Sequence, residues 1–289
     1  MVNLTGKTQL LGIIGAPVEH SLSPVMQNAA IRYLKEDYIY VPFRVAPQNL
    51  ETAIAGLATI GVRGFNVTIP HKQAIIPLLS EVTPTAKLVG AVNTVWRTEI
   101  GWKGTNTDID GFLSPLKPLS RDWTKITPII LGNGGAARAV VVGLAQLGCP
   151  QIWVLGRNQD KLEQFSQSWQ NTDLADALKV YSWDKLSQLI RETTLLINTT
   201  PIGMYPKIDQ SPIDPSLIEQ LSSEAIVYDL IYNPHPTQLL QKAKQKGLMI
   251  IDGLEMLAKQ GAIALEIWLE KPVPIEIMTK SLRNYLNLD

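Results

Sequence analysis

An uninterrupted apolar run leads directly into a glycine-rich turn near the middle of the chain, and this junction constrains the fold most. The run covers Ile126 to Leu131, as expected of a strand buried on both faces of a parallel sheet. A helix-like stretch begins at Arg138, after the turn Gly132-Asn133-Gly134-Gly135-Ala136-Ala137. This is the G-x-G-x-x-G/A pattern at a strand-to-helix turn, where exposed amides and the helix N-terminus attract phosphates. The sequence therefore predicts a dinucleotide-binding unit rather than a loop that serves only close packing.

The residues after the next strand indicate which dinucleotide is bound. An enzyme that uses NAD places a carboxylate there, about 20 residues beyond the turn, to bind the ribose 2′-hydroxyl. Here the strand ends at Leu155 and continues with Gly156-Arg157-Asn158, so no carboxylate stands at its tip. Arg157 offers a planar charged fork suited to a 2′-phosphate, and Lys161 adds a second positive charge. NADP is therefore predicted over NAD, which stays the alternative because Asp160 is close in sequence.

Strand-type and helix-type segments alternate along the whole chain, which predicts an α/β fold with parallel strands and right-handed crossovers. Strands are predicted at Gln9–Gly15, Tyr38–Val45, Arg63–Ile69, Ala91–Arg97, Ile126–Leu131, Ile152–Leu155, Leu195–Asn198, Ile226–Leu230 and Leu248–Ile251. Ser23 is expected to cap a helix that starts with Pro24, and Gly101 and Gly104 are expected to form a turn. The polar stretch from Lys117 to Lys125 predicts a junction between two domains. We place the first domain at residues 1–115, completed by 255–289, and a doubly wound second domain at 116–254.

The composition disfavours several classes of function. Lys plus Arg number 26 and Asp plus Glu number 26, so the chain lacks the electrostatic footprint of a nucleic-acid binder. No apolar run approaches the ~18 residues that cross a bilayer, so no membrane segment is expected. The single cysteine, Cys149, excludes an internal disulfide framework and fits a reducing compartment, the cytoplasm. No metal site is expected, because His20, His71 and His235 are scattered without metal-ligand spacing.

Polar motifs at the predicted strand ends and turns supply hydroxyl, amide and charged groups for a small, oxygen-rich substrate. In the first half they are Ser21-x-Ser23-Pro24, Asn66-Val67-Thr68-x-Pro70-x-Lys72, Gly90-Ala91-x-Asn93-Thr94 and Asn106-Thr107-Asp108-x-x-Gly111. Further on they are Asn198-x-Thr200-Pro201-x-Gly203-Met204, Asp229-x-x-Tyr232-Asn233-Pro234, Asp252-Gly253-x-x-Met256-Leu257 and Gln260-Gly261. This combination resembles the shikimate dehydrogenase family over essentially the whole chain. The resemblance implies an N-terminal substrate domain, a C-terminal Rossmann domain that binds NADP, and C-terminal helices that return to the first domain.

The resemblance also implies roles for individual residues, with Lys72 and Asp108 as the catalytic pair. The expected substrate ligands are Ser21, Ser23, Thr68, Lys72, Asn93, Asp108, Tyr232 and Gln260. The expected cofactor contacts are Gly132, Asn133, Gly134, Gly135, Ala136, Gly156, Arg157, Asn158, Lys161, Thr199, Met204, Leu230 and Gly253. The family usually has Asn-Arg-Thr where this chain has Gly156-Arg157-Asn158, and Lys161 replaces a commoner Arg. The central Arg is kept, and selectivity against NAD stays open.

The implied reaction is the reversible, NADPH-linked reduction of 3-dehydroshikimate to shikimate in aromatic amino-acid biosynthesis. The cofactor carries the hydride, while the protein orients the two rings and moves one proton. The ammonium of Lys72 can donate that proton and stabilise the developing alkoxide, and Asp108 favours its charged form. Which of the two carries the proton in the oxidising direction stays open.

Two alternative functions and the oligomeric state remain open at this point. A quinate or broader quinate/shikimate dehydrogenase must accept an additional ring hydroxyl near the carboxylate, whereas Ser21 and Ser23 favour shikimate. A non-catalytic NADP-binding regulatory protein is expected to lack Lys72 or Asp108, and both are present. The sequence does not determine the oligomeric state, for which a homodimer is one alternative.

Overall fold

The computed structural model describes residues 4–288, and the chain divides into two compact units. The first unit combines Met1–Gly111 with Leu257–Asp289, and the second is the continuous segment Phe112–Met256. The C-terminal helices therefore belong to the first unit, as the family resemblance implies. The limits 1–115, 116–254 and 255–289 stay a prediction about which residues serve the substrate and which serve the cofactor.

A mixed six-stranded sheet forms the framework of the first unit. Its strands are β1 (Gln9–Gly15), β2 (Tyr38–Arg44), β3 (Gly64–Val67), β4 (Glu81–Val82), β5 (Thr94–Thr98) and β6 (Gly101–Thr105). They lie in the order β2-β1-β3-β5-β6-β4; β1 is parallel to β2 and β3, and β5 is antiparallel to β3 and β6. The turn expected at Gly101 and Gly104 lies instead at Glu99 and Ile100, between the paired residues Thr98 and Gly101, and both glycines belong to β6. Position 104 requires glycine for close packing rather than for a turn, since a Cβ there would lie 2.5 Å from Leu79 Cδ1.

Helices cover this sheet and connect its strands. Those that contain residues of the first unit are α1 (Ser23–Leu34), α2 (Leu50–Thr59), α3 (His71–Ala74), α4 (Pro84–Val89), α5 (Asp108–Leu113), α11 (Leu254–Leu269) and α12 (Ile275–Tyr285). Ser23 is the first residue of α1 rather than its cap, and the capping position belongs to Leu22, which makes no side-chain capping bond. Pro24 lies in the first turn, where its missing N–H removes no helical hydrogen bond. α12 packs against α1, and its Met278 and Leu282 are buried.

The second unit contains a six-stranded sheet in which every pair of neighbours is parallel. Its strands are β7 (Ile129–Leu131), β8 (Ile152–Gly156), β9 (Leu178–Ser182), β10 (Leu195–Asn198), β11 (Ile226–Asp229) and β12 (Met249–Ile251). Their order is β12-β11-β10-β7-β8-β9, so the chain winds one way from β7 to β9 and the other way from β10 to β12. This is the doubly wound order, in which ligands bind at the carboxyl ends of the strands where the winding reverses.

Helices flank the parallel sheet and bury its aliphatic side chains. They are α6 (Gly135–Gln146), α7 (Gln159–Gln167), α8 (Leu186–Leu189), α9 (Pro215–Ile218) and α10 (Gln238–Gln245). Ile129, Leu196 and Val227 on adjacent strands are fully buried and pack with Leu239 of α10. Each such side chain stabilises the fold by roughly 1.5–3 kcal/mol. No helix within residues 4–288 is both long and apolar enough to cross a membrane.

Candidate active site

Lys72 and Asp108 form a direct ion pair in the first unit. Lys72 Nζ lies 2.6 Å from Asp108 Oδ2, and the two side chains are 17% and 6% exposed. Lys72 lies in α3, which follows β3, and Asp108 begins α5, which follows β6. Because little water reaches the pair, its attraction is screened less than that of a surface pair. The ammonium group is therefore held at one position, with its charge balanced.

Asn93 fixes the other oxygen of the Asp108 carboxylate. Its Nδ2 donates to Asp108 Oδ1 at 2.8 Å, while its Oδ1 accepts from Thr107 N at 2.8 Å. The Thr94 hydroxyl also donates to Asn93 Oδ1, at 3.0 Å. Both carboxylate oxygens of Asp108 thus have a donor, one from Lys72 and one from Asn93. This arrangement prevents the carboxylate from rotating and sets the direction of the lysine ammonium.

Gln260, from α11, joins the same cluster. Its Oε1 lies 3.4 Å from Asn93 Nδ2, and its backbone carbonyl accepts from Thr107 Oγ1 at 3.0 Å. The Gln260 side chain in turn donates from Nε2 to Leu257 O at 2.8 Å. The structure therefore brings four of the predicted site residues together: Lys72, Asn93, Asp108 and Gln260.

Asn106 and Thr107 were missed as site residues, although both belong to the motif that contains Asp108. Asn106 Oδ1 accepts from the backbone N–H of Asp108 at 3.0 Å, and its Nδ2 donates to Ala91 O at 2.9 Å. Both residues are buried, at 3% and 2% exposure. The signal that could have found them is the run of three polar residues before a helix, which is typical of capping and turn chemistry.

Tyr40 and Asn66 hold Asn93 through a chain of buried hydrogen bonds. Asn66 Nδ2 donates to Asn93 O at 3.1 Å and to Thr94 Oγ1 at 3.2 Å, and Asn66 Oδ1 accepts from the Tyr40 hydroxyl at 2.7 Å. All these groups are buried. Buried polar groups whose hydrogen bonds are satisfied make a network rigid, so the carboxylate is positioned through several layers of contacts.

Three of the predicted hydroxyl ligands, those in the first unit, follow two neighbouring strands. Ser21 and Ser23 come after β1, and Thr68 comes after β3, which pairs with β1 in parallel. Because parallel strands end at the same edge of a sheet, the segments that carry these residues leave the sheet from that edge. Ser23 N donates to Ser21 Oγ at 3.3 Å, and Thr68 O accepts from His71 N at 2.9 Å, one residue before Lys72.

The glycine-rich turn of the second unit has the shape that a phosphate group requires. Gly132 has φ +101°, and a Cβ there would lie 2.9 Å from Thr199 Oγ1, so only glycine is free of strain. Gly134 occupies the capping position of α6 with no side-chain capping bond, and nothing lies within 4 Å of a Cβ added to it. This open space beside the first N–H groups of a helix fits a pyrophosphate. Gly135 and Ala136, the next two predicted contacts, form the start of α6.

Several predicted cofactor residues converge at the ends of β7, β8 and β10. Thr199, after β10, donates from Oγ1 to Leu131 O in β7 at 2.8 Å. A Cβ on Gly156 at the end of β8 would lie 3.1 Å from Asn133 Oδ1 in the glycine-rich turn. Met204 lies half-buried in the loop beyond Thr199. These residues therefore share one edge of the sheet, where the doubly wound order places the ligand.

The residues after β8 present positive charge to solvent. Arg157 is exposed, and its guanidinium carbon lies 4.7 Å from the centroid of the Trp183 ring. Asn158 caps α7, with its Oδ1 accepting from Lys161 N at 2.8 Å. Lys161 and Asp160 are exposed in the first turn of α7. The capping bond explains an asparagine at position 158, and its contact with a cofactor stays a prediction.

Asp229, at the end of β11, is a fully buried carboxylate that sequence reasoning gave no role. Its Oδ1 accepts from Asn198 Nδ2 at 2.9 Å and from Ile231 N at 3.2 Å, and its Oδ2 accepts from Thr237 Oγ1 at 2.7 Å. Burial raises the pKa of Asp229 to about 6 despite these three donors. The carboxylate thereby fixes both ends of the loop that carries Tyr232, which is half-buried in the second unit.

Gly253 and Leu230 meet at the start of α11. A Cβ on Gly253 would overlap the Leu230 carbonyl group, and Gly253 N donates to Ile231 O at 3.2 Å. Glycine at this position is therefore needed for close approach of two backbone segments. Among residues 4–288, no cluster of three or more His, Cys, Asp and Glu side chains is arranged to hold a metal ion.

The doubly wound unit with its glycine-rich turn, together with a unit that carries a buried lysine–aspartate pair, defines a class of two-domain, dinucleotide-linked oxidoreductases. The family model described as the shikimate dehydrogenase substrate binding domain matches residues 13–95. A second model, the shikimate 5′-dehydrogenase C-terminal domain, matches residues 253–283.

Full-length relatives agree with these two models. A curated protein of Crocosphaera subtropica named shikimate dehydrogenase (NADP(+)) is 68% identical and covers 98% of both chains. The crystal structure of the Aquifex aeolicus shikimate dehydrogenase has 38% identity, a TM-score of 0.86 and coverage of 97% of this chain and 100% of that one. The Thermus thermophilus enzyme in complex with NADP(H) and shikimate has 33% identity, a TM-score of 0.83 and coverage of 96% and 99%. The chain belongs to the shikimate dehydrogenase family.

Proposed function

We propose that the protein catalyses the reversible, NADPH-linked reduction of 3-dehydroshikimate to shikimate, in the cytoplasm. The observation that carries the proposal is the Lys72–Asp108 pair, with Nζ and Oδ2 2.6 Å apart and the carboxylate held by Asn93. Lys72 lies within residues 13–95, which the substrate-binding family model matches, and Asp108 lies beyond them. The name of the Crocosphaera subtropica relative and the ligands of the Thermus thermophilus structure support both the substrate and the cofactor.

Proton transfer is the part of the chemistry that this chain itself performs. NADPH, when bound, supplies the hydride. Lys72 Nζ provides the proton for the keto oxygen and stabilises the negative charge that develops there. Asp108 Oδ2 accepts a hydrogen bond from Nζ, which orients the ammonium toward one side. In the oxidising direction the same two groups receive the proton as a coupled unit.

The substrate ligands match the chemistry of a hydroxylated ring acid. Ser21, Ser23, Thr68, Asn93, Tyr232 and Gln260 are proposed to bind the carboxylate and ring hydroxyls. Hydroxyl groups donate to a carboxylate and also accept from ring hydroxyls, and amide groups do both at once. These neutral side chains recognise oxygen atoms without adding a charge that would compete with Asp108 for Lys72.

The cofactor residues are proposed to divide by the part of NADP that they contact. The turn Gly132–Ala136 and the start of α6 receive the pyrophosphate, because glycines let the ligand approach the N–H groups. Arg157 binds the 2′-phosphate, assisted by Lys161 and by the adjoining Gly156 and Asn158. The contacts assigned to the nicotinamide end are Thr199, Met204, Leu230 and Gly253.

One assay tests the proposal: shikimate and quinate, each with NADP or NAD, followed by the absorbance of the reduced nicotinamide. The expected result is turnover of shikimate with NADP, lost in Lys72→Ala. The matched control is Lys103→Ala, which removes a lysine paired with Glu81 at 2.5 Å in the same unit but with more exposed side chains. Equal turnover of quinate would favour the broader quinate/shikimate enzyme, and an absence of turnover would favour the regulatory alternative.

Sedimentation equilibrium of the purified protein tests whether it forms the homodimer that the sequence leaves open.

A further inference from the structure

Trp183 stands beside the residue that the proposed function assigns to the 2′-phosphate. β8 and β9 are parallel neighbours, and their last paired residues are Gly156 and Ser182. The next residues along each strand are therefore Arg157 and Trp183, at two adjacent carboxyl ends. Their side chains meet, with the guanidinium carbon 4.7 Å from the centroid of the indole ring.

The two partners differ in how firmly they are held. Trp183 is half-buried and packs against a core cluster of the second unit that contains Leu155 and Leu186. Arg157 is exposed, on a long side chain with many rotamers. An exposed arginine must lose that freedom when it binds a phosphate, and this loss weakens the contact. A fixed aromatic ring beneath the guanidinium removes part of the freedom before the ligand arrives.

Stacking also leaves the donors of the arginine available. A guanidinium group stacks through its planar face, whereas it binds phosphate oxygens through the N–H groups at its edge. A contact with Trp183 through that planar face therefore does not compete with a bidentate phosphate contact.

We propose that Trp183 is a positioning residue for cofactor selectivity, which holds the Arg157 guanidinium in the plane from which it binds the 2′-phosphate. The inference rests on the proposed NADP-linked function and adds to it a residue outside the family motifs quoted above. A cation–π contact at an exposed site changes an equilibrium by about 2- to 5-fold. Loss of the ring should weaken ligands that carry the 2′-phosphate by about that factor.

The test compares two small ligands that differ only in this phosphate, 2′,5′-ADP and 5′-AMP, titrated into the full-length protein by calorimetry. Trp183→Leu is expected to weaken 2′,5′-ADP by about 2- to 5-fold and to leave 5′-AMP unchanged. Trp183→Phe, which keeps an aromatic face, is expected to restore part of the affinity. The matched control is Trp96→Leu, because Trp96 carries Lys103 Nζ 5.8 Å from its ring centroid in the first unit.

A double-mutant cycle separates positioning from general support of the fold. In an Arg157→Ala background, Trp183→Leu is expected to cause no further weakening of 2′,5′-ADP, because the ring acts through the arginine. Equal weakening of both ligands, or additive effects of the two substitutions, would overturn the inference. Failure of the proposed function looks different: the unmodified protein itself would bind 2′,5′-ADP no better than 5′-AMP.

Discussion

Replacing the buried Asp229 by Asn should change how the stability of the protein depends on pH. The amide is close to isosteric with the carboxylate, so its oxygen can still accept from Asn198 Nδ2 and Ile231 N, as Asp229 Oδ1 does. Its NH₂ group can donate to Thr237 Oγ1, whose hydroxyl proton then loses its present acceptor. That loss is the same at every pH, so the pH dependence isolates the charge.

The magnitude follows from the shift in pKa. Burial raises the pKa of Asp229 from 3.8 to about 6, which is roughly two units at 1.36 kcal/mol each, or about 3 kcal/mol. A raised pKa means that the native state holds the proton more tightly than the unfolded state. The stabilisation is therefore complete below about pH 4 and is lost as the pH rises through about 6. Asp229→Asn should not show this loss. Its unfolding free energy relative to that of the parent should therefore rise by up to about 3 kcal/mol as the pH increases from 4 to 8.

Urea unfolding of both proteins at a series of pH values from 4 to 8 measures this difference. The matched control is Asp214→Asn, in the same unit, because hydrogen bonds from Ser216 lower the pKa of Asp214 instead of raising it. That variant should keep a constant difference from the parent over this range, because stability linked to a lowered pKa is already complete above the ordinary value of 3.8. A constant difference between Asp229→Asn and the parent would refute the reasoning, since it would mean that the buried carboxylate titrates at its ordinary pKa.

Three other predictions concern the catalytic pair, the residue assigned to the 2′-phosphate and two glycines of the second unit. Lys72→Ala and Asp108→Ala should each lower kcat by about 10²- to 10⁴-fold, and steady-state kinetics of the double variant should show far less than the product of the two effects. Arg157→Ala should weaken NADP by about 10- to 150-fold and leave NAD nearly unchanged, and calorimetry with both cofactors would contradict this if both weakened equally. Gly253→Ala should lower the Tm because its Cβ overlaps the Leu230 carbonyl, whereas Gly134→Ala should keep the Tm and raise the KM for NADP.

The sequence was most informative where one local pattern determined the structure. The apolar run ending at Leu131 and the glycines after it predicted a buried strand and its turn, because both depend on neighbouring residues only. β9 was missed because Leu178–Ser182 contains Lys179 and Ser182, and a strand at the edge of a sheet does not need a continuous apolar run. Gly104 was mistaken for a turn residue, since its close approach to Leu79 comes from a distant part of the chain.

The same distinction applies to the candidate site. Lys72 and Asp108 were predicted as a pair because their motifs occur together, and the structure places them 2.6 Å apart. The burial of Asp229 could not be predicted, because aspartates are almost never fully buried unless partners from other segments satisfy them. The contact of Trp183 with Arg157 depends on the register between β8 and β9, which no local pattern encodes.

The insertion of the second unit between the two parts of the first sets an order of maturation during synthesis. Residues 257–288 leave the ribosome after all of Phe112–Met256, which is one continuous segment and can fold as soon as it has emerged. The first unit must wait, because the carbonyl of Gln260 accepts from Thr107, and Trp268 Nε1 donates to Val95 O at 2.9 Å. The nascent chain can therefore form its dinucleotide fold before Gln260 joins the lysine–aspartate site.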